Sequence, residues 1–265
     1  MFEGELMRVA PPAALKSAMA VGVAMLFAVV PPAVSSSMAQ STAAAGAGVD
    51  HRLRLTFDNG ESLKAGTQAR DATGNGRSGT VRVSGNGRLT VLPNGATGRA
   101  AGFPRACIGC GRAIIVVPPA PALNPGTRPF SFGASVRATP KQAPPGRDPN
   151  IMMKGSTGSL GGKWKLHLIG AKPRCVFEGA ASRIELTATR PIDDGTWHRV
   201  VCSRNGKLHQ LLVDGKVKAA STKAYSGKNV SAQPVKIGGR AVGTNGMNDQ
   251  FHGDLDGVFL NVVTG

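Results

Sequence analysis

Acidic and aromatic side chains are scarce in this sequence. Fifteen Asp and Glu stand against thirty-two Lys and Arg, a formal net charge of +17. Aromatics make up 5% of the 265 residues, with two Trp and a single Tyr, Tyr225. So cationic a chain suggests acidic partners. Nucleic acid is disfavoured among them: single strands are held by stacking on aromatics, and no nucleic-acid-binding motif occurs. Catalytic motifs are missing too. There is no Gly-x-Ser-x-Gly elbow and no His-Glu-x-x-His pair. Residues 74–79, Gly-Asn-Gly-Arg-Ser-Gly, have the spacing of a dinucleotide loop. They lead into a strand pattern, where that loop needs a helix, and they read as a turn. No internal repeat is visible, which argues against a solenoid or propeller.

Glycine and proline are abundant, 36 and 18, together about a fifth of the chain. Average usage is about 12%, and both residues break helices. What is present is alternation with period two. His51, Leu53, Leu55 and Phe57 share one face against Arg52 and Arg54. Phe130, Phe132, Ala134 and Val136 alternate with Ser131, Ser135 and Arg137. Trp164, Leu166 and Leu168 alternate with Lys165 and His167, and Ile184, Leu186 and Ala188 follow suit. Strict alternation marks strands with one buried and one wet face, the habit of antiparallel sheets. Turn dipeptides separate them, Asn205-Gly206 and Asp214-Gly215 among others. The expected fold is all-β, roughly a dozen strands in two antiparallel sheets packed face to face. The Pro-rich stretch 139–149 reads as a surface loop.

The N-terminus reads as an export signal. Residues 18–30 are apolar and uncharged, Arg8 and Lys16 precede them, and Ser37-Met38-Ala39 offers a cleavage site. The run is shorter than the ~20 residues of a membrane span. Glu3 and Glu5 do not suit a basic leader, which points to Met7 as the start. On this reading residues 1–39 are removed, 40–50 form a flexible linker, and 51–265 form one domain. Removal takes two acids and two bases, so the charge stays at +17. All four Cys remain, an even count that suits disulfides in an exported chain. Cys107 and Cys110 form Cys-Ile-Gly-Cys, open to three readings: a tight local disulfide, which is favoured, a redox pair, or half of a zinc site.

Residues 193–217, DDGTWHRVVCSRNGKLHQLLVDGKV, resemble the core signature of laminin G-like domains of the concanavalin A-like lectin/glucanase group. PFSFGASVR (129–137), NIMMKG (150–155) and FHGDLDGVFL (251–260) agree with it. The resemblance implies a jelly-roll sandwich, usually extracellular, and it implies a Cys175–Cys202 disulfide. Closing that loop stabilises by about 3.5 kcal/mol on a chain-entropy estimate. It also implies calcium, for which Asp58, Asp71, Asn75 and Asp256 are the candidates. Calcium takes six to eight oxygens, many from backbone. Trp197 reads as a core residue on the face of Val201, with His198 opposite as a surface or packed structural residue.

The glucanase branch of that group carries a Glu, Asp and Glu cluster on one strand, and nothing here matches it. Beyond residue 39 only Glu61, Glu178 and Glu185 remain, whereas a glycosidase needs two opposed carboxylates. The expectation is a secreted, non-catalytic module binding carbohydrate or an extracellular protein, with anionic surface polymers favoured by charge. A glycan-active hydrolase and a structural extracellular protein are the alternatives.

Overall fold

The computed structural model describes residues 48–59, 62–106, 110–140, 148–156, 162–243 and 249–264. The chain divides into Met1–Ala43 and Ala44–Gly265, and everything described belongs to the second unit. Its first eight strands are β1 (Gly48–Leu55), β2 (Gln68–Ala69), β3 (Gly79–Ser84), β4 (Thr90–Leu92), β5 (Ala100–Gly102), β6 (Arg112–Val117), β7 (Phe130–Arg137) and β8 (Asn150–Lys154). The next four are β9 (Lys163–Ile169), β10 (Lys172–Glu178), β11 (Arg183–Thr187) and β12 (Trp197–Asn205). β13 (Leu208–Val213), β14 (Lys216–Ser221), β15 (Val235–Ile237) and β16 (Asp254–Thr264) complete the set.

All pairings between these strands are antiparallel, in two eight-stranded sheets. The first runs β14-β13-β12-β7-β16-β5-β4, with β1 also on β16. The second runs β11-β10-β9-β8-β15-β6-β3-β2. One flank of β16 serves two partners. Asp254 and Leu255 pair with β5, and residues from Val258 onward pair with β1. The register shifts between Asp256 and Phe259 at a bulge, where Gly257 adopts φ +52°. Positive φ costs glycine little, which is why it can sit there.

The core lies between the sheets. Phe130, Phe132, Trp164 and Phe177 meet there with ring centroids 4.7–5.8 Å apart, from β7 on one side and β9 and β10 on the other. Aromatic pairs in such geometry add to their area burial by about 0.5–1.5 kcal/mol each. Cys175 of β10 and Cys202 of β12 form the expected disulfide, Cα atoms 5.7 Å apart, tying one sheet to the other. Cys110 is disulfide-bonded as well; its expected partner Cys107 lies outside the described residues. The Pro-rich loop falls largely outside them too.

The turn signals place both hairpins. Asn205 pairs with Leu208 across Gly206, and Asp214 and Gly215 both take positive φ between β13 and β14. Two expectations about faces need correction. His51 does not share the buried face of Leu53, because a bulge between them turns it outward to Asn261. Trp197 is not a core residue. It shares Val201's face, as expected, but that face points away from the core. The Arg137 guanidinium covers its ring at 4.7 Å.

Candidate functional site

The four residues singled out for calcium fall into two places. Asp71 caps its own loop. Its carboxylate accepts from the backbone N–H groups of Arg54, Thr73 and Arg77 and from the Thr73 hydroxyl. Asn75 of the same loop donates to the carbonyl of His51. Four donors occupy the Asp71 oxygens, so this pair does not fit a cation. Asp58 and Asp256 meet at a different turn. Asp58 Oδ1 accepts from Arg99 N at 2.7 Å, and Asp256 Oδ2 accepts from Thr97 N at 2.8 Å. Asp256 Oδ1 is buried with no hydrogen-bond partner. Burial, with a smaller push from Asp58, raises the Asp256 carboxyl from its ordinary value, against the Thr97 donors and the adjacent Gly257 N–H that pull it down. An orphaned carboxylate oxygen beside a second carboxylate fits a cation. Among the described residues no group of three or more His, Cys, Asp or Glu could hold a metal, so most ligands there would be backbone oxygens.

The Trp-His signature builds a clasp rather than a pocket. His198 Nε2 faces Asp194 and its Nδ1 faces Asp214, while Thr196 closes the turn onto Asp194. The hydrogen bonds tie the turn before β12 to the turn after β13.

The most perturbed polar groups lie elsewhere, on the outward face of the second sheet. Strand registers set them in three rungs. The first is Lys163, Glu178 and Arg183. The second runs Val116, Lys236, Met153, Lys165, Val176 and Glu185. The third is Asn150, His167, Arg174 and Thr187. Alternation in β9 is as expected, with Trp164, Leu166 and Leu168 inward, but the opposite face is not wet. His167 is 4% exposed and Asn150 fully buried. Neither ring nitrogen of His167 has a partner, nor has Asn150 Oδ1. Burial, reinforced by Lys165 and Arg174, pushes the His167 imidazole down to about 2, so it is neutral.

Lys165 is the half-buried head of this cluster. Burial pushes its ammonium down to about 8, while Asp249 and Asp148 hold it up. Its Nζ lies 4.0 Å from Asp249 Oδ2, which Asn150 Nδ2 also approaches at 3.5 Å. Asp249 is itself raised by burial. The two glutamates of the face are already committed. Glu178 pairs with Lys163 at 2.9 Å and Arg183 at 3.3 Å, and Glu185 pairs with Arg174 and Arg183. Perturbed groups gathered in this way mark functional sites more often than chance. Reading alternation alone missed them. The signal was in the neighbours: IIVV in β6 and IMM in β8 are consecutive apolar residues, the mark of strands covered on both faces.

The comparisons fit this architecture. Residues 115–260, more than half of the chain, match the laminin G type of the concanavalin A-like lectin/glucanases superfamily. No curated protein matches. Among solved structures, the binding domain of Paraclostridial Mosquitocidal Protein 1 is similar with a TM-score of 0.59. The identity is 14%, over 80% of this chain and 48% of that one. The binding domain of Botulinum neurotoxin DC, solved in complex with rat synaptotagmin II, gives 0.54 at 14% identity over 79% and 48%. Domain 4 of a GH43 extracellular arabinanase from Geobacillus stearothermophilus, solved with arabinotriose, gives 0.54 at 13% identity over 82% and 95%. This chain spans about half the length of the two toxin binding domains. At these identities the likeness is one of fold. The family match, the paired antiparallel sheets and the Trp-His hairpin together make this chain a member of the laminin G-like branch of the concanavalin A-like lectin/glucanases superfamily.

Proposed function

We propose that the chain is a secreted, non-catalytic binding module for carbohydrate or an extracellular protein, anionic ligands being favoured. The ligand meets the outward face of the second sheet at Lys165. The observation that carries this is the half-desolvated Lys165 ammonium, with a single carboxylate at 4.0 Å. The unpartnered ring nitrogens of His167 and the unpartnered Oδ1 of Asn150 stand in the adjacent rung. Buried polar groups left unmade are costly, and a ligand's hydroxyls would satisfy them, donating to Asn150 Oδ1 and accepting from the His167 N–H. Related folds support the reading: one is solved with an oligosaccharide and another with a protein. Residues 1–39 serve as the export signal. The test is a glycan array with purified protein, with calcium and with chelator, at rising salt. Selective signals that persist at moderate salt support a pocket. Signals confined to anionic glycans that vanish with salt mean unspecific charge attraction.

Calcium belongs to the same reading, held by Asp58 and Asp256 and neighbouring backbone oxygens. Its role there is structural, since it would neutralise the buried Asp256 carboxylate. A glycan-active hydrolase is the second reading. It rests on Asp148 and Asp249: burial raises the Asp249 carboxyl, and Asp148 lies close enough to add to that rise. Release of reducing sugar from the glycans the array selects, abolished in Asp249→Asn, would favour it.

A further inference from the structure

At the rim where β12 turns into β13, an open cavity of about 420 Å³ is lined by Thr127, Arg204, Tyr225, Ser226 and Lys228 and by the backbone of Gly206 and Gly227. Arg204 is the unusual group. The residue is 3% exposed. Its guanidinium donates to Asn229 Oδ1 and to the carbonyl oxygens of Gly126 and Arg128, the last two at 2.7 Å. It also lies over the Phe130 ring at 4.7 Å. Every one of these partners is neutral.

Neutral acceptors satisfy N–H groups but leave the charge in place, and a buried charge without a counter-charge is costly. No described carboxylate forms an ion pair with Arg204. Tyr225 does not supply the charge, because burial raises its phenol above the ordinary value and keeps it neutral. Glu178 already faces two cations, Lys163 and Arg183. The local excess is therefore positive, and Lys228 adds an exposed cation at the lip.

The walls are pre-formed. Tyr225 Oη accepts from Asn229 Nδ2 at 3.1 Å, and Asn229 in turn holds Arg204, so ring and guanidinium are fixed to one side chain. Gly227 packs close to the phenol end of the ring. A Cβ there would come within 2.9 Å of Tyr225 Oη. An aromatic edge, two hydroxyls and two cations around a cavity of this size suit a sugar ring that carries negative charge.

We propose that this rim cavity binds an acidic sugar residue, its carboxylate or sulfate turned to Arg204 and Lys228 and its ring against Tyr225. The site is separate from the outward face of the second sheet and does not depend on Lys165. Because Tyr225 is the only tyrosine, 3-fluorotyrosine places one fluorine reporter in the cavity. Purified labelled protein is titrated at constant ionic strength with a galacturonate trimer, a sulfated disaccharide, neutral arabinotriose and sodium sulfate alone. The expected result is a saturable shift of the single fluorine resonance with the uronate or the sulfated sugar, whichever fits. Affinity should fall at least tenfold in Lys228→Glu, whose side chain is exposed and whose fold is retained. An equal shift with sodium sulfate means an adventitious ion only and overturns the proposal. So does an equal response to arabinotriose, an unmoved resonance, or unchanged affinity in Lys228→Glu.

Discussion

His198 Nδ1 lies 2.8 Å from Asp214 Oδ2, and the opposite ring nitrogen faces Asp194 at 3.1 Å. A neutral imidazole donates from one nitrogen only. Two carboxylates on two nitrogens therefore call for the imidazolium. Burial opposes that charge, but Asp214 and Asp194 together outweigh it, and the His198 pKa is raised. Its stabilisation is thus complete below the unfolded value of about 6.5 and is lost as pH rises through the folded pKa. Thermal unfolding measured from pH 6 to 9 is expected to show a loss of stability on the alkaline side. His198→Gln should lack that step. Asp194 itself is held down to about 2 by the Thr196 donors and His198, so the clasp survives moderate acid.

The disulfide between Cys175 and Cys202 crosses from sheet to sheet, and both sulfurs are buried. The double variant Cys175→Ser/Cys202→Ser should lose about 2–5 kcal/mol in denaturant unfolding. Reductant added to the native protein should act slowly, because access needs the sheets to part.

Calcium, on the reading above, neutralises Asp256. Addition of calcium to chelated protein should then raise Tm, and Asp256→Asn should abolish the shift. An unchanged Tm in the wild-type protein would remove calcium from the account.

Trp164 and Trp197 should behave differently. Trp164 is 1% exposed in the core, and its removal to Ala should cost about 3–5 kcal/mol. Trp197 is partly exposed beneath Arg137, so Trp197→Ala should cost only about 1 kcal/mol. Gly133→Ala tests the close approach of β7 and β12. A Cβ at Gly133 would lie 2.1 Å from Val200 O, an overpacking worth about 1–3 kcal/mol.

Much of this was legible in the residues. Period-two alternation placed β7 and β9 with their inward faces correct, since Phe132, Trp164 and Leu166 are all buried. Asn-Gly and Asp-Gly marked hairpins because positive φ is needed there. The outward faces were harder. Alternation says which residues share a face, but not what covers the other side. Trp197 shares its face with Val201, yet in the first sheet that face is the outer one. Lys165 and His167 looked solvated because charged residues usually are, while Val116, Met153 and Val176 in neighbouring strands make the same face half apolar. The meeting of Asp58 with Asp256, and of Asn150 with Asp249, joins segments far apart in sequence. No local pattern encodes it.

The central claim is that Lys165 holds the ligand. Asp249, Asp148, Lys163 and Arg240 surround it, and its ammonium loses its proton near pH 8. The direct measurement is calorimetric affinity for the anionic glycan selected on the array, between pH 7 and 9, for the wild-type protein and Lys165→Ala. The account predicts that wild-type affinity falls as pH rises through about 8, and that Lys165→Ala binds at least tenfold more weakly at pH 7 with a flat profile. Equal affinity in the two proteins, with the same dependence on pH, would contradict it.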